Sequence, residues 1–307
     1  MPGPAPAKGP GAALPGARIA LGSVQFGLDY GISNRDGVCS DGALRDILDT
    51  AVGGGIALLD TAAHYGNAEE RLGHHLKAAD GLEIVTKIPA HCRDAATVAA
   101  SLDRSFRRLR RARLYAALLH DSMVLTGDNG RAIWDCLRDA REAGKLAKTG
   151  VSVYDGDQLA RLFALPWFDP EIVQLPLNIF DQRLIEDGWL ARLADRGIDI
   201  QARSAFLQCL LLMDPETLPA HLAAARRPLE NWRRLLAEAG LSPLAGALGF
   251  VRAQPEIGHI VVGVTSAAEL DEILAAMEGA AETPSRDRLA LADPAIIDPR
   301  LWPAKAS

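Results

Sequence analysis

Eight short apolar runs, separated by longer amphipathic or turn-rich stretches, constrain this chain more than any other feature. They fall at residues 17–23, 56–62, 82–88, 115–120, 148–153, 172–177, 199–204 and 259–264. Most are nearly continuous in apolar side chains rather than alternating, the pattern of parallel strands covered on both faces. Helical periodicity fills the intervals. In 41–52, Leu44, Ile47, Leu48, Ala51 and Val52 share one face, and in 94–110 Val98, Leu102, Phe106 and Leu109 do the same. Ser266-Ala-Ala-Glu269 has the form of a capping box opening a last helix through Leu270, Ile273, Leu274 and Met277. Turn residues such as Gly53-Gly-Gly55 and Asp80-Gly81 precede the strands.

Eight strands alternating with helices over roughly 250 residues predict an α/β chain closed into a single-domain (β/α)8 TIM barrel. A doubly wound sheet fits less well. The first run leads into Gly22-Ser-Val-Gln-Phe-Gly27, which lacks the glycine fingerprint that brings a pyrophosphate to a helix start. The expected divisions are a tail over 1–16, the barrel over 17–280 and a C-terminal segment over 281–307 packing on the barrel. The tail, MPGPAPAKGPGAALPG, is rich in proline and glycine without a charged-then-apolar leader pattern, and reads as disordered. The interval 205–258 is longer than its peers and holds at least two helices; its start, Phe206–Met213, is placed to fold over the barrel mouth.

Bulk charge narrows the function classes. Lysines and arginines number 33 against 39 acidic residues, a formal charge of −6, and no basic block marks a nucleic-acid face. The apolar runs are strand-length, well short of a membrane span. Cys39, Cys92, Cys136 and Cys209 are far apart and fit no metal or redox spacing, so they read as reduced thiols of a cytoplasmic protein. No His-x-His pair stands at a strand end, and His74-His75 falls on a helix as a solvated pair, so no metal is expected.

Four polar residues interrupt or follow the apolar runs: Asp60, Tyr65, Lys87 and His120. In a parallel barrel, reactive groups collect at the carboxyl ends of the strands. An acid, a phenol, an amine and an imidazole meeting there suit protonation of a carbonyl oxygen as hydride reaches its carbon. A buried ammonium at Lys87 needs a partner, and Asp60 on the neighbouring strand supplies one. A cation beside Tyr65 would stabilise its phenolate and draw its pKa toward neutrality. The plainer reading makes Asp60–Lys87 an ion pair plugging the barrel end, with Tyr65 and His120 as rim residues. The four together favour catalysis.

These segments resemble the aldo-keto reductase family. The likeness is carried by Leu21-Gly-Ser-Val-Gln-Phe-Gly27, by Leu59-Asp-Thr-Ala-Ala-His-Tyr-Gly66 with Glu69 and Leu72-Gly73, and by Ile84-Val-Thr-Lys87 and Leu118-Leu-His120. Gly150-Val-Ser152, Gln174 and Val262-Gly263 with the following helix continue it in order. The resemblance implies NAD(P)H-dependent reduction of aldehydes or ketones, with the catalytic set on Asp60, Tyr65, Lys87 and His120. It also implies that Ser152 and Gln174 hold the nicotinamide carboxamide and that Ser23 lies near the nicotinamide ribose. Ser204, Phe206 and Leu207 would run along the pyrophosphate, and Gly263, Ser266 and Glu272 would stand at the last strand and helix of the nucleotide site.

Three departures from the family pattern stand out. Val153 follows Ser152 where many members have Asn. Arg203 replaces the aromatic ring that many place under the nicotinamide, and a guanidinium plane can stack there instead. No basic residue occurs in 263–272, where NADP-preferring members grip the 2′-phosphate, and Glu269 stands where arginine is often found. The residues lean toward NADH or dual use, family habit toward NADPH. Ser266 and Glu269 serve equally well as helix caps.

Phe26, Tyr30, His64, Pro89 and Met123, with side chains from the long 206–226 stretch, are the candidate substrate contacts, a modestly polar set compatible with a sugar-like or small aromatic carbonyl. His64 reads equally as a surface neighbour of Tyr65, and Trp302 as packing across the barrel rather than touching substrate. Two rival readings remain. Lys87 could form a Schiff base in a lyase or aldolase, although Asp60 opposes the neutral amine that this needs. Alternatively, the chain could hold a nucleotide as a redox sensor with little turnover.

Overall fold

The computed structural model describes residues 18–303 except 33, 35, 36, 78, 79 and 280–287. The tail over 1–16 and part of the 281–307 segment therefore lie outside the described residues. Eight parallel strands close in sequential order: β1 Arg18–Gly22, β2 Leu58–Asp60, β3 Glu83–Ile88, β4 Leu114–Leu119, β5 Leu146–Ser152, β6 Ile172–Pro176, β7 Asp199–Arg203 and β8 Ile257–Gly263. The (β/α)8 barrel read from the apolar runs is the fold of this protein. Closure is made by β1 and β8, which pair from Arg18↔His259 to Gly22↔Gly263.

Three strand boundaries, in β2, β5 and β8, shift by two residues from the apolar runs. β2 is shorter than its apolar run, yet its ladder continues through Thr61 N–H to the Val85 carbonyl (2.8 Å) and Ala63 N–H to the Lys87 carbonyl (3.1 Å). β5 and β8 begin two residues before their runs, at Leu146 and Ile257, because Leu146 already pairs with Leu114 of β4 and Ile257 with Ile200 of β7.

The main helices between strands are α1 Asp41–Gly53, α2 Ala68–His75, α3 Ala95–Leu109, α4 Gly130–Glu142, α5 Gly156–Phe163, α6 Arg183–Glu186 and α7 Trp189–Ala194. After β7 come α8 Arg226–Ala239 and α9 Pro243–Arg252, then α10 Ala267–Glu278 after β8 and α11 Pro294–Ile297 near the end. In α1 the stripe Leu44, Ile47, Leu48 and Ala51 is buried as its spacing requires, whereas Val52 is exposed. Asp94 caps α3 reciprocally with Thr97. At α10 the box closes differently from expectation. Ser266 Oγ accepts from Glu269 N–H at 3.2 Å, but the Glu269 carboxylate turns to the Thr265 N–H (2.7 Å) and hydroxyl (3.1 Å).

The main core lies between barrel and helices, while a smaller cluster of Ala20, Leu58, Val85, Ala116, Leu118 and Ile172 fills part of the barrel interior. Among the C-terminal residues, Leu289, Ile296 and Ile297 are buried and Leu291 N–H reaches the Phe180 carbonyl at 2.8 Å. Trp302 donates from Nε1 to the Ala295 carbonyl (3.0 Å), within its own segment. Among the described residues no single helix is long and apolar enough to cross a membrane. His74 is exposed, but His75 is half-buried with Nε2 at 3.6 Å from Asp41, so the pair is not uniformly solvated.

Candidate active site

Strand residues alternate between the two faces of the sheet, so inward positions recur every second residue. Lys87 on β3, Gln174 on β6, and Gln201 and Arg203 on β7 lie on this inward face, as does Asp60 at the end of β2. They replace aliphatic filling with a polar layer in the upper barrel. Gln174 Nε2 donates to Asp60 Oδ1 (2.7 Å) and to Gln201 Oε1 (3.0 Å), while Asp60 Oδ2 pairs with the Lys87 ammonium. Lys87 also donates to the Thr61 carbonyl at 3.2 Å. Lys87 is 1 % exposed and Asp60 3 %. Burial draws the Lys87 ammonium below its ordinary pKa against the opposing pull of Asp60.

Tyr65 is located by backbone contact rather than by a side-chain clamp. A Cβ on Gly27 would stand 2.0 Å from the Tyr65 carbonyl, and one on Gly66 would stand 2.2 Å from the Gly27 carbonyl. Gly66 also has φ +55°, a left-handed conformation that suits glycine. The loops after β1 and β2 thus press together just where the phenol departs. Lys87 Nζ lies 5.4 Å from the Tyr65 ring centroid. The expected acidification of Tyr65 by Lys87 is absent from this arrangement. Burial first, then the Asp60 carboxylate, push the phenol above its ordinary value, and Arg203 pulls the other way. The Lys87 charge is offset by the Asp60 carboxylate paired with it.

His120 follows β4 and is fixed by its N–H to the Ile88 carbonyl (3.1 Å). Its ring stacks on His64 with centroids 4.4 Å apart, and His64 meets Tyr65 edge-on at 4.9 Å. Burial, then the neighbouring His64 and Lys87, bring the His120 pKa down to about 3. It is a neutral imidazole at physiological pH.

These groups border a cavity of ≈ 330 Å³ at the carboxyl ends of the strands. Asp60, Tyr65 and His120 line it, and Lys87 sits behind Asp60. Of the expected nucleotide contacts, Ser23, Gln174, Arg203, Ser204, Phe206 and Gly263 line it as well. Ser152 is buried outside the lining, Leu207 is wholly buried in the core, Ser266 is occupied as a helix cap, and Glu272 points to solvent from α10. Among the expected substrate contacts, Tyr30 and His64 line the cavity, but Phe26, Pro89 and Met123 do not. Phe26 is drawn into the core by the 3-10 turn Val24–Phe26, Pro89 is buried as its carbonyl accepts from Cys92 N–H, and Met123 packs on the core from the turn Ser122–Thr126.

Gln208 and Cys209 line the cavity from the 206–226 stretch, as expected, whereas Tyr154 and Gln25 line it without having been singled out from the sequence. Tyr154, two residues past Ser152, carried a signal in its aromatic ring after a strand end. Arg203 lies over its ring at 4.3 Å, and Arg300 of the C-terminal segment at 3.7 Å. A nicotinamide stacked on Arg203 would therefore have to use the guanidinium face turned away from Tyr154.

The loop after β7 is bent in an unusual way. Ser204, Leu207, Gln208 and Cys209 all have positive φ (62°, 47°, 51° and 71°). Left-handed backbone at non-glycine residues costs about 1–2 kcal/mol each and persists where surrounding structure holds it. Here Leu207, Leu210 and Leu211 are wholly buried beneath it. Successive backbone N–H groups in such turns form anion-binding concavities. Several buried polar atoms nearby have no protein partner: the hydroxyls of Ser23 and Ser152, Gln25 Oε1 and Gln201 Nε2. Such orphans are what a carboxamide or ribose would satisfy, so these residues fit the nicotinamide end of a nucleotide. Among the described residues, no group of three or more His, Cys, Asp or Glu could hold a metal ion.

Comparison with known proteins agrees with this geometry. The chain is 26% identical over 208 residues to an uncharacterized oxidoreductase of Schizosaccharomyces pombe, covering 64% of this chain and 72% of that protein. Its fold matches aldo-keto reductase AKR11C1 from Bacillus halodurans in the holo form with TM-score 0.72 at 18% identity, covering 90% of this chain and 93% of that one. The apo form of the same protein matches with TM-score 0.68 at 20% identity, covering 87% and 92%. The model of the Aldo/keto reductase family matches residues 18–285. With the barrel, the mouth cavity and that match together, this chain belongs to the aldo/keto reductase family of NAD(P)H-dependent carbonyl-reducing enzymes.

Proposed function

We propose that the chain reduces a small aldehyde or ketone to an alcohol at this cavity, with Tyr65 as the proton donor. The observation that carries the reading is the convergence of Asp60, Tyr65 and His120 on one cavity wall with the Lys87 ammonium buried behind. When bound, a nicotinamide nucleotide supplies the hydride. As charge develops on the substrate oxygen, Tyr65 gives up its proton to it. The raised phenol can still give up its proton, because an alkoxide is a stronger base than a phenolate. The phenolate left behind faces the Arg203 charge, which favours it. His120, kept neutral, can donate a hydrogen bond to the carbonyl oxygen without releasing its proton to solvent.

Ser23, Ser152 and Gln174 are the residues we assign to the nicotinamide and its ribose, on the strength of the unpaired hydroxyls of Ser23 and Ser152 and the place of Gln174 in the cavity wall. The backbone of 204–209, Ser204 and Phe206 included, would take the pyrophosphate. Without a basic residue in 263–272, and with Glu269 folded onto Thr265, NADH or dual use is favoured over strict NADPH use. The Schiff-base alternative is disfavoured, because the Lys87 amine is absorbed by Asp60 and the Thr61 carbonyl and does not line the cavity.

Fluorescence titration with NADH and NADPH, followed by oxidation assays with sugar-derived and aromatic aldehydes, tests the reading. Tight nucleotide binding with turnover of at least one aldehyde is expected. Binding without any turnover would favour the sensor reading instead.

A further inference from the structure

The cavity lining contains one Asp and one Arg side chain, Asp60 and Arg203, and no Lys or Glu. Asp60 is spent: one oxygen holds Lys87 and the other accepts from Gln174. Arg203 has no carboxylate partner among the described residues. It donates to neutral oxygens, Nη2 to the Val153 carbonyl at 3.0 Å and Nη1 to Ser204 Oγ at 3.3 Å, with the plane against Tyr154. A guanidinium has five N–H donors in a fixed fork, so these two bonds leave most of the fork unused. The Asp60–Lys87 pair cancels, and the cavity keeps one uncompensated positive charge.

We propose that Arg203 seats an anionic group, a carboxylate or phosphate, carried by the carbonyl substrate. The proposal rests on the carbonyl-reductase reading and names its substrate class. A planar fork suits such oxyanions bidentately, and the contact with Tyr154 and the Val153 carbonyl holds the fork still. The nucleotide pyrophosphate offers the same oxyanion chemistry from a second source. Position favours the substrate: the Arg203 charge is felt at Tyr65, His120 and Tyr30, so it stands near the reacting groups. The left-handed backbone at 207–209, further along the same loop, offers the pyrophosphate backbone N–H groups of its own. Three of the chain's four tyrosines, Tyr30, Tyr65 and Tyr154, line the same cavity and add neutral hydroxyls. At ≈ 330 Å³ the cavity lies at the small end for ligand sites. The substrate class is thus a small, hydroxylated aldehyde or ketone bearing one acidic group. Arg203 then has a different role from the ring stacking expected from the sequence.

The test compares matched carbonyl pairs: succinic semialdehyde with butanal, 4-carboxybenzaldehyde with benzaldehyde, and glyceraldehyde 3-phosphate with glyceraldehyde. For the wild type, kcat/KM for the anionic member should exceed that of its neutral partner by ~10–100-fold, mainly through KM. Arg203→Met should bring the ratio toward one, and Arg203→Lys should keep part of it, with folding checked by circular dichroism. No anionic preference in the wild type, or a preference that survives in Arg203→Met, overturns the proposal. A lost factor that appears in NAD(P)H affinity while the ratio stays intact assigns the guanidinium to the pyrophosphate and overturns it too. Absence of turnover with every pair defeats the reductase reading instead. Calorimetric titration of 4-carboxybenzyl alcohol against benzyl alcohol then decides Arg203 on its own, equal binding of the two counting against it.

Discussion

The two ends of this barrel hold the same four residue types and do different things with them. At the carboxyl ends stand Asp60, Tyr65, Lys87 and His120. Toward the amino ends stand Asp199, Tyr115, Lys148 and His259. In the lower set the Lys148 ammonium pairs with Asp199, and the Tyr115 hydroxyl donates to the same carboxylate oxygen at 2.6 Å. Lys148 also lies 5.2 Å from the Tyr115 ring centroid, much like Lys87 and Tyr65 at 5.4 Å. Solvent separates the two. The Lys148 side chain is 28% exposed and that of Lys87 1%. Burial pulls on Lys148 too, but its bonds to Asp199 and Tyr115 outweigh it and its pKa ends raised, whereas burial wins at Lys87. In the lower cluster Tyr115, Lys148 and Asp199 satisfy one another, while His259 borders a separate cavity. The upper one borders a cavity with unpaired hydroxyls beside it. Residue type alone does not make a site; loops that wall off a cavity and leave polar groups waiting do.

The sharpest way to break this contrast is to remove one hydroxyl at each end. Tyr65→Phe should lower kcat by ~10²–10⁴-fold, the usual worth of a positioned proton donor, with nucleotide fluorescence titration still showing binding. Tyr115→Phe should leave turnover near wild type. Comparable losses in both would show that the upper phenol has no special role. The ion pairs give the next largest effect. Lys87→Met strands a buried carboxylate and should cost about 3–5 kcal/mol in urea unfolding, while Lys148→Met at the wetter end should cost about 0–1 kcal/mol.

The pH dependence sharpens the contrast further. His120 is held neutral, with a folded pKa of about 3 against 6.5 ordinarily. Its contribution to stability is present above about pH 6.5 and is lost as the pH falls toward 3. His120→Gln should therefore flatten the acid limb of Tm against pH. Lys148, raised above 10.5, acts with opposite sign, its contribution being present below that value and lost as the pH rises past it. An acid limb unchanged in His120→Gln would count against the buried neutral imidazole. The smallest effect concerns nucleotide choice. Glu269→Gln should improve NADPH binding relative to NADH by ~2–5-fold, about the 0.3–1 kcal/mol that a charge near a helix start is worth; an unchanged ratio of dissociation constants would place the 2′-hydroxyl elsewhere.

The strands were legible because parallel strands buried on both faces leave unbroken apolar runs, and the reactive residues were legible because charge in such a run has few structural uses. Lys87 and Asp60 are read this way directly. Loop residues were harder, since nothing in their spacing says which way a turn will aim them. Phe26, Pro89 and Met123 all sit in turns that direct them into the core. Tyr154 escaped notice because its place in the wall depends on two arginines, Arg203 and Arg300, about 50 and 150 residues further on. The left-handed bend at 207–209 lies in a sequence, Leu-Gln-Cys, with no glycine to announce it.

Gly27 and Gly66 meet where neither has a side chain to spare. The aim of the phenol is thus inherited from two missing methyl groups, on residues with no reactive chemistry of their own. Enlarging either would swing Tyr65, the proton donor we propose, off target while every side chain of the proposed site stayed in the chain. On that proposal, the precision of the site is exposed to lesions that no inventory of functional side chains would flag.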